Sequence, residues 1–313
     1  MKAFFKKNVK HLPSLFILIG FIYLTLHYFD AQYLWKSTNK MFAHPILLLS
    51  IFVIYFISFC FKAVAWKLYF RGKARFTTCL LGILYSLLIN HLLPIKLGDL
   101  FRIKVLSTRD SHIKDQEAFQ SVIVLRLIDM LTLTLITLVG LLSLGVKFRI
   151  PVWMIVIGGI GSFLCLLIIN KYFPSFLKRH LALMKKAFSG MNGIGIILFT
   201  VTSWILEAGV LYGTVMALDG DLSFFKSVIA NSFTIAGQVF QITPGGLANY
   251  ESFLVFALGL MDFSIKEGYM VAVLTHAMKF MFSYTAGFIA FINYPISLKT
   301  MKEWVKVRGV MKE

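Results

Sequence analysis

Apolar and polar positions fall in long blocks along this chain, and the blocks recur with a shift of 150 residues. Thr77–Pro94 (TTCLLGILYSLLINHLLP) is an apolar run that ends in proline and gives way to the polar loop Ile95-Lys96-Leu97-Gly98-Asp99. Ser227–Pro244 (SVIANSFTIAGQVFQITP) ends the same way, before Gly245-Gly246-Leu247-Ala248. A long apolar segment follows each break. Arg126 and Asp129 lie in the first, and His276 and Lys279 lie at the same offsets in the second. The halves share little identity, so the repeat is one of breaks and charges. Two halves with an apolar segment broken at the same position are a sequence pointer to a transporter-like binding site at the repeat interface.

Several blocks exceed the roughly 20 helical residues that cross about 30 Å of hydrocarbon. They predict an all-α polytopic membrane protein with about six full spans, at roughly 12–29, 45–70, 118–146, 151–170, 193–217 and 269–295. The segments around 77–98 and 227–260 are expected to form re-entrant helical hairpins, each entering and leaving on one side. The pseudo-repeats are then roughly 12–146 and 151–295, within a single integral-membrane domain over 1–313. No connection is long enough for a soluble catalytic domain, which takes on the order of 100 residues; the longest polar one, Lys171–Asn192, has 22. The basic start and the apolar run Leu12–Phe29 have the outline of a signal peptide. Asp30-Ala31-Gln32-Tyr33-Leu34-Trp35 offers no small-x-small cleavage site, so the run is expected to stay as the first span.

Composition agrees with this class: 58% of residues are hydrophobic and 15% charged, with a mean hydropathy of +0.79. Charge adds orientation. Of 32 Lys and Arg, 22 fall in the N-terminal tail, 71–75, 96–114, 171–186 and the C-terminal tail, 6 fall in the opposite connections, and 4 lie within spans. The positive-inside rule then puts both termini in the cytoplasm, in the cytoplasmic membrane of a bacterium or archaeon. The net charge of +18 calls for no nucleic acid; it reflects orientation and contact with anionic headgroups. The first hairpin opens from the cytoplasm and the second from outside, which makes the halves inverted about a two-fold axis in the membrane plane. Cys60, Cys79 and Cys165 lie in apolar segments without a C-x-x-C pair and read as small buried hydrophobes; no metal or other cofactor is expected.

An unpaired charge inside a span costs several kcal/mol. Arg126 and Asp129 are three residues apart on one helix and share a face, which permits a helix-local ion pair. Neutralisation alone is had more cheaply with apolar residues, so a site is favoured. Lys279 has no acid three or four residues away, leaving Asp129, Glu207, Glu251 or a bound anion as partner. His276 taken alone reads as a satisfied core histidine. Lys62 and Lys67 are expected to snorkel to the cytoplasmic interface. Glu207, at mid-span, is equally a lattice residue and a site residue.

The loops add polar backbone. Thr243-Pro244-Gly245-Gly246 breaks any helix, and broken backbone at membrane depth must face protein or water. The helix start that follows, with Glu251 one to two turns in, suits an anionic headgroup. In the first loop, after Pro94, Lys96 and Arg102 can engage phosphate, Asp99 can orient them, and Gly98 shapes the turn.

Pro94-x-Lys96-x-Gly98-Asp99-x-x-Arg102, then Arg126-x-x-Asp129, then Thr243-Pro244-Gly245-Gly246-Leu247-x-x-x-Glu251 resembles the signature of the lysylphosphatidylglycerol synthase transmembrane-region family, over nearly the whole chain. That family includes the flippase-like half of the bacterial multiple peptide resistance factor and many standalone proteins. Its first motif more usually reads Pro-x-Arg-x-Gly-Glu. A glutamate often stands where this chain has Leu125, and a glycine where it has Ala248. The resemblance implies transbilayer movement of a lipid with an anionic or aminoacylated headgroup, such as phosphatidylglycerol, its lysyl ester or a polyprenyl phosphate. It also implies that lysyl transfer belongs to a separate soluble domain, which this sequence does not contain.

The expected function is therefore a lipid flippase and not an enzyme. Lys96, Arg102, Arg126 and Lys279 would neutralise phosphate, and Asp99, Asp129, Glu207, Glu251 and His276 would orient those cations or bind an amine or proton. Membrane lipids are the expected partners, with a second copy of the chain or a lipid-synthesis enzyme beside it. No G-x-x-x-x-G-K-[ST] motif is present, so movement would be passive or driven by an ion gradient. Two alternatives stand: an intramembrane lipid-modifying enzyme with Asp129 or Glu251 as base, and a scaffold subunit of a lipid or glycan assembly complex.

Overall fold

A computed structural model describes residues 12–93, 97–145, 188–238 and 243–297, with scattered positions between 167 and 185 and between 299 and 304. The described residues contain α1 (Leu12–Tyr28), α2 (Ala31–Phe42), α3 (Pro45–Tyr69), α4 (Phe76–Leu92), α5 (Gly98–Arg109) and α6 (Asp115–Ser143). They continue with α7 (Met191–Glu207), α8 (Gly209–Ala217), α9 (Phe224–Gly237), a short 3-10 turn (Pro244–Gly246), α10 (Asn249–Gly259) and α11 (Ile265–Asn293).

Local chemistry sets the ends of these helices inside otherwise apolar stretches. The Asp30 carboxylate accepts from the Tyr33 N–H at 2.9 Å and starts α2. Pro45 opens α3, where a missing N–H is harmless. Ser223 caps α9, and Ser264 with Glu267 forms a capping box at the head of α11.

Among the described residues three stretches are long and apolar enough to cross a membrane: α3, α6 and the α7–α8 run. The α7–α8 run covers the span expected over 193–217, with one tight turn inside it. Its backbone tightens at Ala208, whose N–H reaches back three residues to Ile205, and α8 restarts directly after the buried Glu207. α11 has the length of a span, 29 residues, but its inward face carries His276, Lys279 and Ser283. The expected span over 151–170 and Cys165 lie outside the described residues. α2 was not expected. Its sequence is mostly polar, and it buries only Ser37 and Met41.

The shift of 150 residues recurs in the helices. α6 and α11 are both 29 residues long and start at 115 and 265. The α4–α5 hairpin precedes one, and the α9–α10 hairpin precedes the other. α3 packs along α7 and α8, its counterparts in the second half. A Cβ at Gly195 would press on Leu68, one at Gly209 on Ile54, and one at Gly213 on Ile51. As one number rises the other falls, so α3 runs antiparallel to its counterparts. The hairpins are exchanged: α4 packs on α11, and α9 packs on α6. Glycine makes both approaches close, with Gly287 against Leu88 and Gly140 against Ile229. Small residues allow helices to meet this way where lipid removes the hydrophobic drive between them.

Candidate functional site

A cavity of about 190 Å3 lies between the two halves, walled by Gly245 of the second break and by α4 and α5 on either side of the first. Its wall takes Lys62 from α3, Arg102 from α5, Arg126 and Asp129 from α6, Trp204 and Glu207 from α7, Gly245 from the second break, and His276 and Lys279 from α11. Such a concentration of ionisable groups inside apolar helices is expensive unless the charges meet one another.

They meet in three arrangements. The first is a triad. Glu207 accepts from Lys62 Nζ and Lys279 Nζ, each at 3.0 Å, and Lys279 also donates to Asn231 Oδ1 at 2.9 Å. Glu207 is thus the partner Lys279 required. Lys62 does not snorkel. Its ammonium lies 3.4 Å from the Trp204 ring centroid, where the indole face adds a cation–π attraction. Lys67, one turn on, is exposed. Lys62 and Asn231 were missed as site residues. The signal for Lys62 was present, because it lies inside an apolar run and has no nearby acid.

The second arrangement joins His276 to the broken loop. Nδ1 lies 2.7 Å from Glu251 Oε1 and Nε2 lies 3.1 Å from the Gly245 carbonyl oxygen. Both ring nitrogens therefore face acceptors. The two contacts are hydrogen bonds together only if the imidazole is doubly protonated, or if the carboxyl holds the proton and donates to Nδ1. Tyr250 stacks on the ring at 4.3 Å between centroids. The loop is shaped by Gly245 at φ 63 and Gly246 at φ 84, next to Pro244, and the Thr243 hydroxyl donates to the Leu247 carbonyl. Ala248 takes φ 74 as well. Glu251 belongs to the first turn of α10, nearer the break than expected.

The third arrangement corrects the helix-local pair. Arg126 does not pair with Asp129. It donates from Nε and a terminal nitrogen to the two carboxylate oxygens of Asp99, at 3.2 and 2.8 Å. Asp129 instead accepts from Trp204 Nε1 at 2.9 Å. Spacing of three residues permits contact but does not compel it. The carboxylate at the head of α5 offers the fork a two-point partner, and the indole competes for Asp129. Asp99 was expected to orient Lys96 and Arg102. Arg102 stacks on Trp66, with its guanidinium 4.1 Å from the ring centroid. Gly98 is part of the helix start rather than a free loop. Its N–H donates to Asn90 Oδ1 at 2.9 Å, and a Cβ there would crowd Asn90 and the Ser86 carbonyl. Pro94 and Lys96 lie outside the described residues.

A chain whose described residues are all helical, with helices long and apolar enough to cross a membrane and a charged cavity between its two halves, belongs to the class of integral membrane proteins. Residues 12–287 match the lysylphosphatidylglycerol synthase TM region, and the chain belongs to that family. No curated protein and no solved structure matches the chain significantly. The family places the protein in membrane lipid biology.

Proposed function

We propose that this protein moves a lipid with an anionic or aminoacylated headgroup across the cytoplasmic membrane, and that it does so without altering the lipid. The supporting observation is the charge-lined cavity between the two halves, walled by Gly245 of the second break and by α4 and α5 on either side of the first. In this reading the chain makes about six spans, and both hairpins are re-entrant. The halves are inverted in the membrane, and both termini are cytoplasmic. The headgroup enters between the hairpins while its tails stay in hydrocarbon. Rocking of one half against the other carries it through, because the cavity is shared by helices of both.

The experiment is transbilayer movement of labelled lipids in proteoliposomes, with wild type and Arg126→Gln/Lys279→Gln protein. Movement of a charged lipid that the double variant loses supports transport. A folded protein that moves no lipid and leaves headgroups intact overturns it in favour of a scaffold. A second reading, an intramembrane enzyme, draws on the buried His276–Glu251 pair. Among the described residues no serine, threonine or cysteine is hydrogen-bonded to that histidine. Chemically altered headgroups in the same vesicles would favour it.

A further inference from the structure

The cavity is thinly walled where α4 meets α11. His91 on α4 and Phe280 on α11 close it there, edge to face, with ring centroids 4.6 Å apart. The second break packs on α4 beside them. A Cβ on Gly245 would strike the tip of the Phe280 ring and crowd the His91 ring. Glycine thus serves twice at this position, for its φ of 63 and for the room the ring takes. Phe280 neighbours His276 on the cavity side, at 4.8 Å between centroids, and Tyr284 one turn further on, at 5.7 Å. Tyr284 belongs to an open groove of about 570 Å3 between the same two helices, lined by Leu88, Leu92, Tyr284, Thr285, Phe288 and Phe291. Leu87 and His91, adjacent on α4, line the cavity instead. The polar cavity and the apolar groove therefore lie back to back, with the Phe280 ring between them.

The groove has the volume of a ligand pocket, and no ionisable group lines it apart from the Tyr284 phenol. Its helix α11 has the length of a span, and Phe288, Ile289 and Ile292 are exposed along it. In a bilayer, hydrocarbon faces such a surface. A lipid whose headgroup reaches an interior polar cavity keeps its tails in hydrocarbon, so the headgroup needs a lateral opening with an apolar track beside it. Resting on the transport reading above, we infer that the α4–α11 groove holds an acyl chain of the transported lipid, and that Phe280 is the gate through which the headgroup enters the cavity. His91 is tied to its own helix, Nδ1 donating to the Leu87 carbonyl at 2.8 Å. Phe280 has no such tie, and rotation of its side chain opens the wall without moving a helix.

The test uses the full chain in vesicles and nanodiscs of phosphatidylcholine with phosphatidylglycerol that carries a photoactivatable diazirine midway along one acyl chain. Adduct positions are read by peptide mass spectrometry, and movement by accessibility of a headgroup label. Adducts should gather on Leu88, Leu92, Tyr284 and Phe288, several-fold above Ile194 and Leu198 on α7, which are as exposed as Leu92 and Phe288. Leu92→Trp fills the groove and should remove most of the adducts there. Phe280→Ala should quicken movement several-fold, and Phe280→Trp should slow it. If Phe280→Ala does not fold, the wild-type adduct map and Phe280→Trp carry the test. Even labelling of all exposed helix faces overturns the inference, and leaves transport standing if wild type still moves lipid. A groove free of adducts in a protein that is dimeric by native mass spectrometry also overturns it, and assigns the groove to a second copy of the chain. Groove adducts with movement unchanged in both Phe280 variants overturn the gate. Groove adducts in a protein that moves no lipid leave the acyl-chain site standing and remove the transport reading.

Discussion

Arg126 grips Asp99 at two points, 3.2 and 2.8 Å apart, and so ties the long helix α6 to the start of the helix that follows the first break. Both side chains are partly exposed, which limits what the pair contributes. A double-mutant cycle with Arg126→Gln and Asp99→Asn should give a coupling of about 1 kcal/mol. Thermal unfolding of the purified variants measures it, and strict additivity would remove the tie. Arg126→Gln paired with Asp129→Asn should show a smaller coupling, because those two do not share a hydrogen bond.

The triad predicts an order among its members. Glu207→Gln leaves two buried ammonium groups facing each other and should destabilise by about 3–5 kcal/mol. Lys62→Met leaves a matched Lys279–Glu207 pair and should cost less. The double variant Glu207→Gln/Lys62→Met should recover part of the loss. Melting temperatures of the three proteins decide the order, and a Lys62→Met penalty equal to that of Glu207→Gln would contradict it.

Ala248 holds φ 74 and ψ −45, a conformation that favours glycine. Ala248→Gly should relieve strain of about 1–3 kcal/mol, offset by the ~0.5–1 kcal/mol that glycine's freedom costs. A modest rise in melting temperature is expected. A fall would show that the loop gains from the methyl group.

Glycine at the crossing of α3 with α7 and α8 has a different purpose, which is to let the helices touch. Gly213→Leu drives side chain into Ile51 and should cost about 1–3 kcal/mol or displace the helices. Gly20→Leu is the control, since nothing lies within 4 Å of a Cβ there. Yield of folded protein and thermal unfolding should separate the two.

Acid should loosen one end of the molecule first. The Tyr33 N–H and then Lys266 hold the Asp30 carboxyl below its ordinary value, and the Ser264 hydroxyl and N–H hold Glu267 below its own. A carboxyl with a lowered pKa stabilises the fold above its unfolded value, and the contribution fades as pH falls through the folded one. Hydrogen exchange at the heads of α2 and α11 should therefore quicken below about pH 4. Unchanged protection at those two heads would show that the caps do not depend on charge.

The breaks and the two long helices were legible because proline, glycine and apolar run length act locally. Pairings across the fold were not. Glu207 lies 145 residues from Lys62, and no periodicity connects them. The rule that a charge inside a span needs a partner, which singles out Lys279, raises the same question for Lys62. Snorkelling looked sufficient only because the side chain's direction was unknown. Arg126 and Asp129 show the limit of spacing: it permitted a contact that a better-placed carboxylate and an indole took over. α2 escaped notice because a short polar helix capped by one aspartate leaves little apolar pattern to read.

The exchanged hairpins also bear on the order in which the chain can be completed. The glycine face of α6 at Gly140 is covered by α9 through Ile229. α6 is synthesised long before that residue. Until Ile229 leaves the ribosome, the first half waits with this seam open. Its own hairpin waits too, since α4 needs Gly287 of α11. Neither half can close first. The seams close late and together, and an arrest or truncation between them would strand a protein with two open flanks rather than one finished half.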